Sequence, residues 1–111
     1  MIITILFLMI QKAHSYTLSC SYLNTFESDR IMTFFFKRDS NSFYYYVNGK
    51  LKRLFKLVEE NEKKLVIANF NTEFDSFFIF DKESKLFKIL SIYLVFGKQD
   101  KIIDGKCEMI S

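Results

Sequence analysis

The sequence predicts an all-β domain: an antiparallel meander of seven or eight strands forming a small barrel or sandwich, closed by one disulfide. Three observations predict it. Short apolar runs recur along the chain with polar turn residues between them, the pattern of a strand meander. Tyr44-Tyr45-Tyr46-Val47 runs into Asn48-Gly49, and apolar positions resume at Leu51, Phe55 and Leu57. Asn-Gly takes positive φ at both central positions of a type I′ turn, whose twist matches paired strands. Cys20 and Cys107 stand 87 positions apart, so a bridge between them would tie the first strand to the last.

The chain opens on an address. Met1 to Ile10 is almost wholly apolar before Gln11-Lys12 breaks the run. Roughly ten apolar residues are too few for a bilayer span of about 20 but fit the core of a secretory signal. Ala13 and Ser15 place small residues at positions −3 and −1 of a cut after Ser15. The expectation is a signal peptide over residues 1–15 and one domain over residues 16–111, secreted or periplasmic; the alternative is a buried N-terminal strand. The signal region has no basic residue ahead of its apolar run. Taking 15 from 111 leaves 96 residues, enough for one modest core. Removing Lys12 lowers the formal charge from +3 to about +2. So mild a balance argues against nucleic acid and against an anionic membrane surface once the signal is gone. In an oxidising compartment Cys20 and Cys107 are expected to pair, adding about 4–5 kcal/mol on a chain-entropy account. The rival reading, a lipid anchor at Cys20 after Thr17-Leu18-Ser19, would orphan Cys107.

Each run then reads as a strand. Tyr16, Leu18, Cys20 and Tyr22 share one face of the first, and Asn24 to Arg30 connects it onward. Ile31 to Lys37 places Met32, Phe34 and Phe36 on one face and Thr33, Phe35 and Lys37 on the other. Arg38 to Ser42 reads as a turn cluster. The Asn48-Gly49 hairpin follows, then a charged loop at Glu59-Glu60-Asn61-Glu62, a strand from Lys63 to Phe70 and another from Ser76 to Phe80. Asp81 to Lys85 turns the chain into Leu86 to Phe96, and Gly97 to Asp100 turns it into Lys101 to Ile110. Gly105 is expected to be a bulge or kink that lets Cys107 approach the first strand. Leu51, Leu54, Phe55 and Val58 also fit a helical stripe over 51–62. A helix there would put Lys50, Lys52 and Arg53 at its N-terminus and Glu59, Glu60 and Glu62 at its C-terminus, opposed to the macrodipole. A strand is the reading adopted.

Catalytic chemistry is scarce. The sole histidine, His14, lies in the expected signal, which removes imidazole-based nucleophile arrangements and zinc sites from the mature chain. Paired cysteines offer neither thiolate nor metal ligand. Three glycines do not make a phosphate loop. Glu59, Glu60 and Glu62 lack the spacing of a calcium loop and read as a solvated hairpin tip. The expectation is no enzyme, no cofactor and no metal.

Aromatics are in excess, with fourteen Phe and six Tyr. If Met32, Phe34, Phe36, Phe43, Tyr45, Val47, Phe55 and Leu57 fill the core, then Phe35, Tyr44, Tyr46 and Leu54 point outward on adjacent strands. Those four form the candidate partner patch, flanked by Lys37, Lys52 and Lys56, for an envelope or extracellular protein. Two plainer readings compete: Phe, Ile, Lys, Asn and Tyr all rise in AT-rich genomes, and both sheet faces could be buried in a sandwich. A nucleic-acid role for Lys50, Lys52, Arg53 and Lys56 is opposed by export and the nearby glutamates. A carrier of apolar ligands would need a cavity that so many bulky rings are expected to fill.

The apolar leader, early cysteine, hairpin from Phe80-Asp81 through Lys85-Leu86 and closing Gly105-Lys106-Cys107 together resemble small secreted bacterial and phage proteins of unknown function. Tyr16 to Cys20, Val47-Asn48-Gly49-Lys50 and Asp104 to Met109 are similar to parts of the periplasmic inhibitors of c-type lysozyme. That second resemblance implies an eight-stranded barrel with cysteines in its first strand and near its C-terminus, and inhibition of a cell-wall-degrading enzyme. The family's inhibitory Ser-Gly-x-x-Tyr loop has no counterpart in this chain, so no functional residue carries over from it.

Overall fold

Eight antiparallel strands pair in sequence order and close on themselves. A computed structural model describes residues 15–24, 30–71, 73–94 and 100–110; the expected signal up to residue 14, the centre of the first connection, and residues 95–99, which include most of the turn expected at Gly97 to Asp100, lie outside them. The strands are β1 (Thr17–Asn24), β2 (Arg30–Asp39), β3 (Ser42–Val47), β4 (Lys50–Glu60), β5 (Lys64–Phe70), β6 (Phe74–Asp81), β7 (Leu86–Tyr93) and β8 (Lys101–Ile110). The order is a closed meander, β1 through β8 and back to β1. The all-β barrel expected from the sequence is the fold observed, and residues 51–60 are strand. No helix of the described residues is long and apolar enough to cross a membrane.

The two-residue hairpins follow their local chemistry. Asn48 (φ 53°) and Gly49 (φ 76°) both sit in the left-handed region that the type I′ turn requires. Across the barrel seam Cys20 stands directly opposite Cys107 and is bonded to it. Gly105 is needed nearby for space: a Cβ there would meet the Ser21 carbonyl oxygen and come within 2.8 Å of the Phe87 ring and 2.9 Å of Tyr22 Cβ. The β1–β8 ladder ends at Ser21 opposite Lys106, although β1 continues to Asn24 and β8 starts at Lys101. A groove of about 740 Å³ lies over that divergence on the outer side, between Leu23 and Ile31 on one wall and Leu86 and Lys88 on the other.

Eight strands enclose an interior that side chains can just fill, and here phenylalanines fill it. Phe34, Phe36, Phe43, Phe55, Phe78, Phe80 and Phe87 are all buried, with Leu18, Leu65 and Ile67. Their rings interlock: Phe36 lies 4.7 Å from Phe78 and 5.2 Å from Phe55, and Phe34 lies 5.4 Å from Phe87. Met32, Tyr45, Val47 and Leu57 are half-buried on the same face, Tyr45, Val47 and Leu57 packing on this cluster.

Two bulges in β4 reset which residues face inward. Tyr45 pairs with Arg53 but Tyr46 pairs with Leu51, leaving Lys52 as the extra residue. Leu57 pairs with Ile67 and Glu59 with Val66, leaving Val58 extra. Each insertion exchanges inner and outer faces along the strand. Leu51 is therefore exposed instead of continuing the inward series of Phe55 and Leu57. Glu60 pairs with Leu65, a fully buried residue, and so turns inward.

The meander gives the barrel two distinct ends. At the basal end β1 begins, β8 ends, and the turns 40–41, 61–63 and 82–85 lie. The connections between β1 and β2, β3 and β4, β5 and β6, and β7 and β8 lie at the apical end.

Candidate functional site

The four residues expected to form an outward patch do face outward together. Phe35 pairs with Tyr46, and Tyr44 with Leu54, so the pairing places all four on the outer face of β2, β3 and β4. Phe35 and Tyr46 stack, rings nearly parallel (10°) with centroids 5.0 Å apart, the offset geometry aromatic pairs favour. Lys37 reaches over the Tyr46 ring at 5.4 Å. Lys56 donates to the Ser42 hydroxyl oxygen at 2.8 Å beside the patch. Leu54 is 38% exposed and the three rings are half-buried. Chemically the face offers an apolar, aromatic centre with ammonium groups around it.

A second cluster closes the basal end, built from residues whose sequence pattern is that of turns and a hairpin tip. β2 in fact runs on to Asp39, and Arg38 continues the inward alternation of Phe34 and Phe36. Arg38 is 4% exposed. Its guanidinium donates from Nη1 to Glu60 Oε2 at 2.8 Å and from Nη2 to Glu60 Oε1 at 2.9 Å, a bidentate pair. It also donates to the Tyr16 hydroxyl oxygen at 3.0 Å and, from Nε, to the Ser40 carbonyl at 2.8 Å. Lys82 donates a further bond to Glu60 Oε2 at 3.0 Å. Phe43 underlies the guanidinium at 4.9 Å.

These contacts order the local titrations. The bonds from Arg38, with help from Lys82 and against the opposing effect of burial, hold the Glu60 carboxyl down at about 2. Burial works against the Arg38 charge, but the bonds to Glu60 and Tyr16 outweigh it and hold the guanidinium above its ordinary value. Burial raises the Tyr16 hydroxyl, with Arg38 pulling the other way. The cluster is a structural plug, and among the described residues no buried side-chain polar atom is left without a partner. Glu60 is thus half of a buried ion pair, while Glu59 and Glu62 stay exposed.

At the apical end the interior changes character. Inward positions there are Tyr22, Tyr45, Arg53, Ser76, Phe74, Ser91, Tyr93 and Lys101, as the ladders place them. Arg53 lies over the Phe74 ring at 4.2 Å. Phe74 and Tyr93 rings are 5.0 Å apart, and Lys101 stands 5.9 Å from the Tyr93 ring. Burial raises the Tyr45 hydroxyl, reinforced by Tyr22 and opposed by Arg53. Ser76 is buried, its hydroxyl 3.5 Å from that of Ser91. Among the described residues no three His, Cys, Asp or Glu side chains gather in a way that could hold a metal ion.

Comparison with protein-family models, curated proteins and solved structures found no match.

Sequence alternation separates the outer rings from the core rings on β2 and β3 correctly, but it does not by itself draw attention to either inward arginine. A signal for each is present. Arg38 stands two residues beyond Phe36, and Arg53 two before Phe55, each in step with a buried ring. Glu60 carries no such signal, because its direction depends on the Val58 bulge.

Proposed function

We propose that this chain is an exported, non-catalytic binding domain that docks a partner protein on the outer face of β2, β3 and β4. The stacked Phe35–Tyr46 pair carries the reading. The core is filled by other rings, so these two are not needed to fill it. Tyrosine and phenylalanine at the centre of a patch, with charge at its rim, are what protein interfaces favour. Export is supported by the Cys20–Cys107 bond, which persists in oxidising compartments. A non-catalytic role is supported by a mature chain without histidine and with both cysteines bonded.

The test begins with the intact mass of the exported protein, with and without reduction and alkylation. A chain starting at Tyr16 that resists alkylation until reduced is expected. A photo-crosslinking residue at Tyr44 is then used on the producing cells' envelope. Capture of a protein that disappears in the double variant Phe35→Ser, Tyr46→Ser supports the docking face; the same capture by that variant refutes it.

A second reading, inhibition of a c-type lysozyme, is favoured by the eight-stranded barrel with cysteines in β1 and β8, the plan that the resemblance implies. Lytic activity undiminished by a large molar excess of the mature protein would dispose of it.

A further inference from the structure

Arg53 lies over a ring and has no hydrogen-bonded or ion-paired partner among the described residues. Its guanidinium carbon lies 4.2 Å from the centre of the Phe74 ring, a cation–ring contact that engages none of the N–H donors of its fork with an acceptor. Among the described residues no carboxylate lies within ion-pair distance of Arg53 or of Lys101, the pairs there being those of Arg38, Lys64 and Lys82. Nor does any described acceptor take a hydrogen bond from the Arg53 guanidinium, whereas Arg38 at the other end donates to Glu60, Tyr16 and Ser40. Between Arg53 and Lys101 lies the Phe74–Tyr93 ring pair, so the four side chains run cation, ring, ring, cation across the apical end from β4 to β8. The Tyr45 ring packs 5.9 Å from Phe55, the inward neighbour of Arg53, so a tyrosine flanks the same end. Immediately below, Phe34, Phe36, Phe55 and Phe78 fill the barrel. Whatever binds here is therefore shallow and flat, with no room for an alkyl tail to enter.

We infer that the apical end of the barrel is a binding site for a small planar anion, an aromatic carboxylate of one or two rings. The ring rests against Phe74 and Tyr93, and the carboxylate takes the bidentate fork of Arg53 with Lys101 beside it. A tyrosine hydroxyl is protonated at neutral pH, and burial only raises that of Tyr45 further, so it remains a hydrogen-bond donor. This site is separate from the docking face, and either can fail without the other.

The experiment is a titration of the disulfide-bonded mature protein with 2-naphthoate, followed by the backbone amide resonances. Naphthalene-2-methanol serves as the uncharged probe of the same shape and acetate as the charge alone. Saturable shifts centred on Arg53, Phe74, Tyr93 and Lys101 are expected with naphthoate and not with either control. Arg53→Gln should weaken binding about tenfold, the 1.4 kcal/mol of one charge-assisted contact. Lys101→Gln should weaken it less, and Tyr46→Ser not at all. The inference is overturned if naphthoate gives no saturable shift at tens of millimolar, if the alcohol binds as well, if Arg53→Gln binds undiminished, or if the shifts centre on Phe35 and Tyr46. Among the described residues Arg53→Gln removes no hydrogen bond or ion pair, so its amide spectrum should keep the dispersion of the parent and the comparison stays readable.

Discussion

Each end of the barrel holds an arginine whose side chain turns inward, and the two ends treat it in opposite ways. Arg38 at the basal end meets a carboxylate, a phenol and a carbonyl and is almost wholly removed from water. Arg53 at the apical end meets a ring and stays half-exposed. A charge taken out of water must be paired; one left at the rim need not be. The difference teaches where this molecule is committed to structure and where, among the described residues, it has polar capacity in reserve. The basal cluster seals the end at which β1 begins and β8 ends, with the Cys20–Cys107 bond further along the same two strands.

The comparison can be broken at its strongest point first. Reducing the disulfide, or replacing both cysteines by alanine, should cost about 4–5 kcal/mol, since the closed loop is long. Denaturant unfolding with and without reductant measures it. A loss below about 1 kcal/mol would mean that the ladders and the basal plug hold the barrel closed unaided.

Next comes the plug. Glu60→Gln leaves a buried guanidinium without its counter-charge and should cost about 2–4 kcal/mol in the same assay. The double variant Arg38→Met, Glu60→Leu should recover much of that loss, because an apolar pair of similar volume needs no compensation. If the double variant is no better than the single, packing and not charge is what the pair supplies.

The pH dependence follows from the same bond. The Glu60 carboxyl titrates at about 2 in the folded chain against 4.5 for the free group. Its contribution is thus fully present above about pH 4.5 and is lost as pH falls toward 2. The loss should be about 1–3 kcal/mol after allowance for its partial exposure. Thermal unfolding across pH 2–6 should show a slope that is clearly reduced in Glu60→Gln, the remainder including Asp81, whose carboxyl the Ser84 and Glu83 amides also hold below its ordinary value.

The smallest effect sharpens the contrast. Arg53→Gln should change stability by less than about 1 kcal/mol, since among the described residues only a half-exposed cation–ring contact is removed. A cost comparable to that of Glu60→Gln would make Arg53 a second plug and would remove the reserve on which the apical binding site depends.

Much of the fold and of the outer patch is legible in the order of the residues. The inward series Phe34, Phe36 and Phe43 alternates with Phe35 and Tyr44 along the chain, and period-2 alternation is local. Asn48-Gly49 announces its turn because few other dipeptides tolerate two positive φ values. The bounds of β2 and β4 are harder. Local composition places Arg38 and Glu60 in polar connections, because charge beside Ser, Asn and Asp ordinarily marks a turn. Both instead extend strands whose ends bury them as partners, and partnership across 22 positions leaves no trace in either neighbourhood.

Local pattern thus settles the strand inventory, the tight hairpin, the pairing of two cysteines and the division of rings between core and surface on β2 and β3. It does so because alternation and turn propensity are properties of neighbouring residues. Closure into a barrel, the bulges at Lys52 and Val58, and the inward turn of Arg38, Arg53 and Glu60 come only with three-dimensional pairing. One unpaired residue in a ladder exchanges the faces of everything beyond it, and which residue is left unpaired is decided by the strand on the other side.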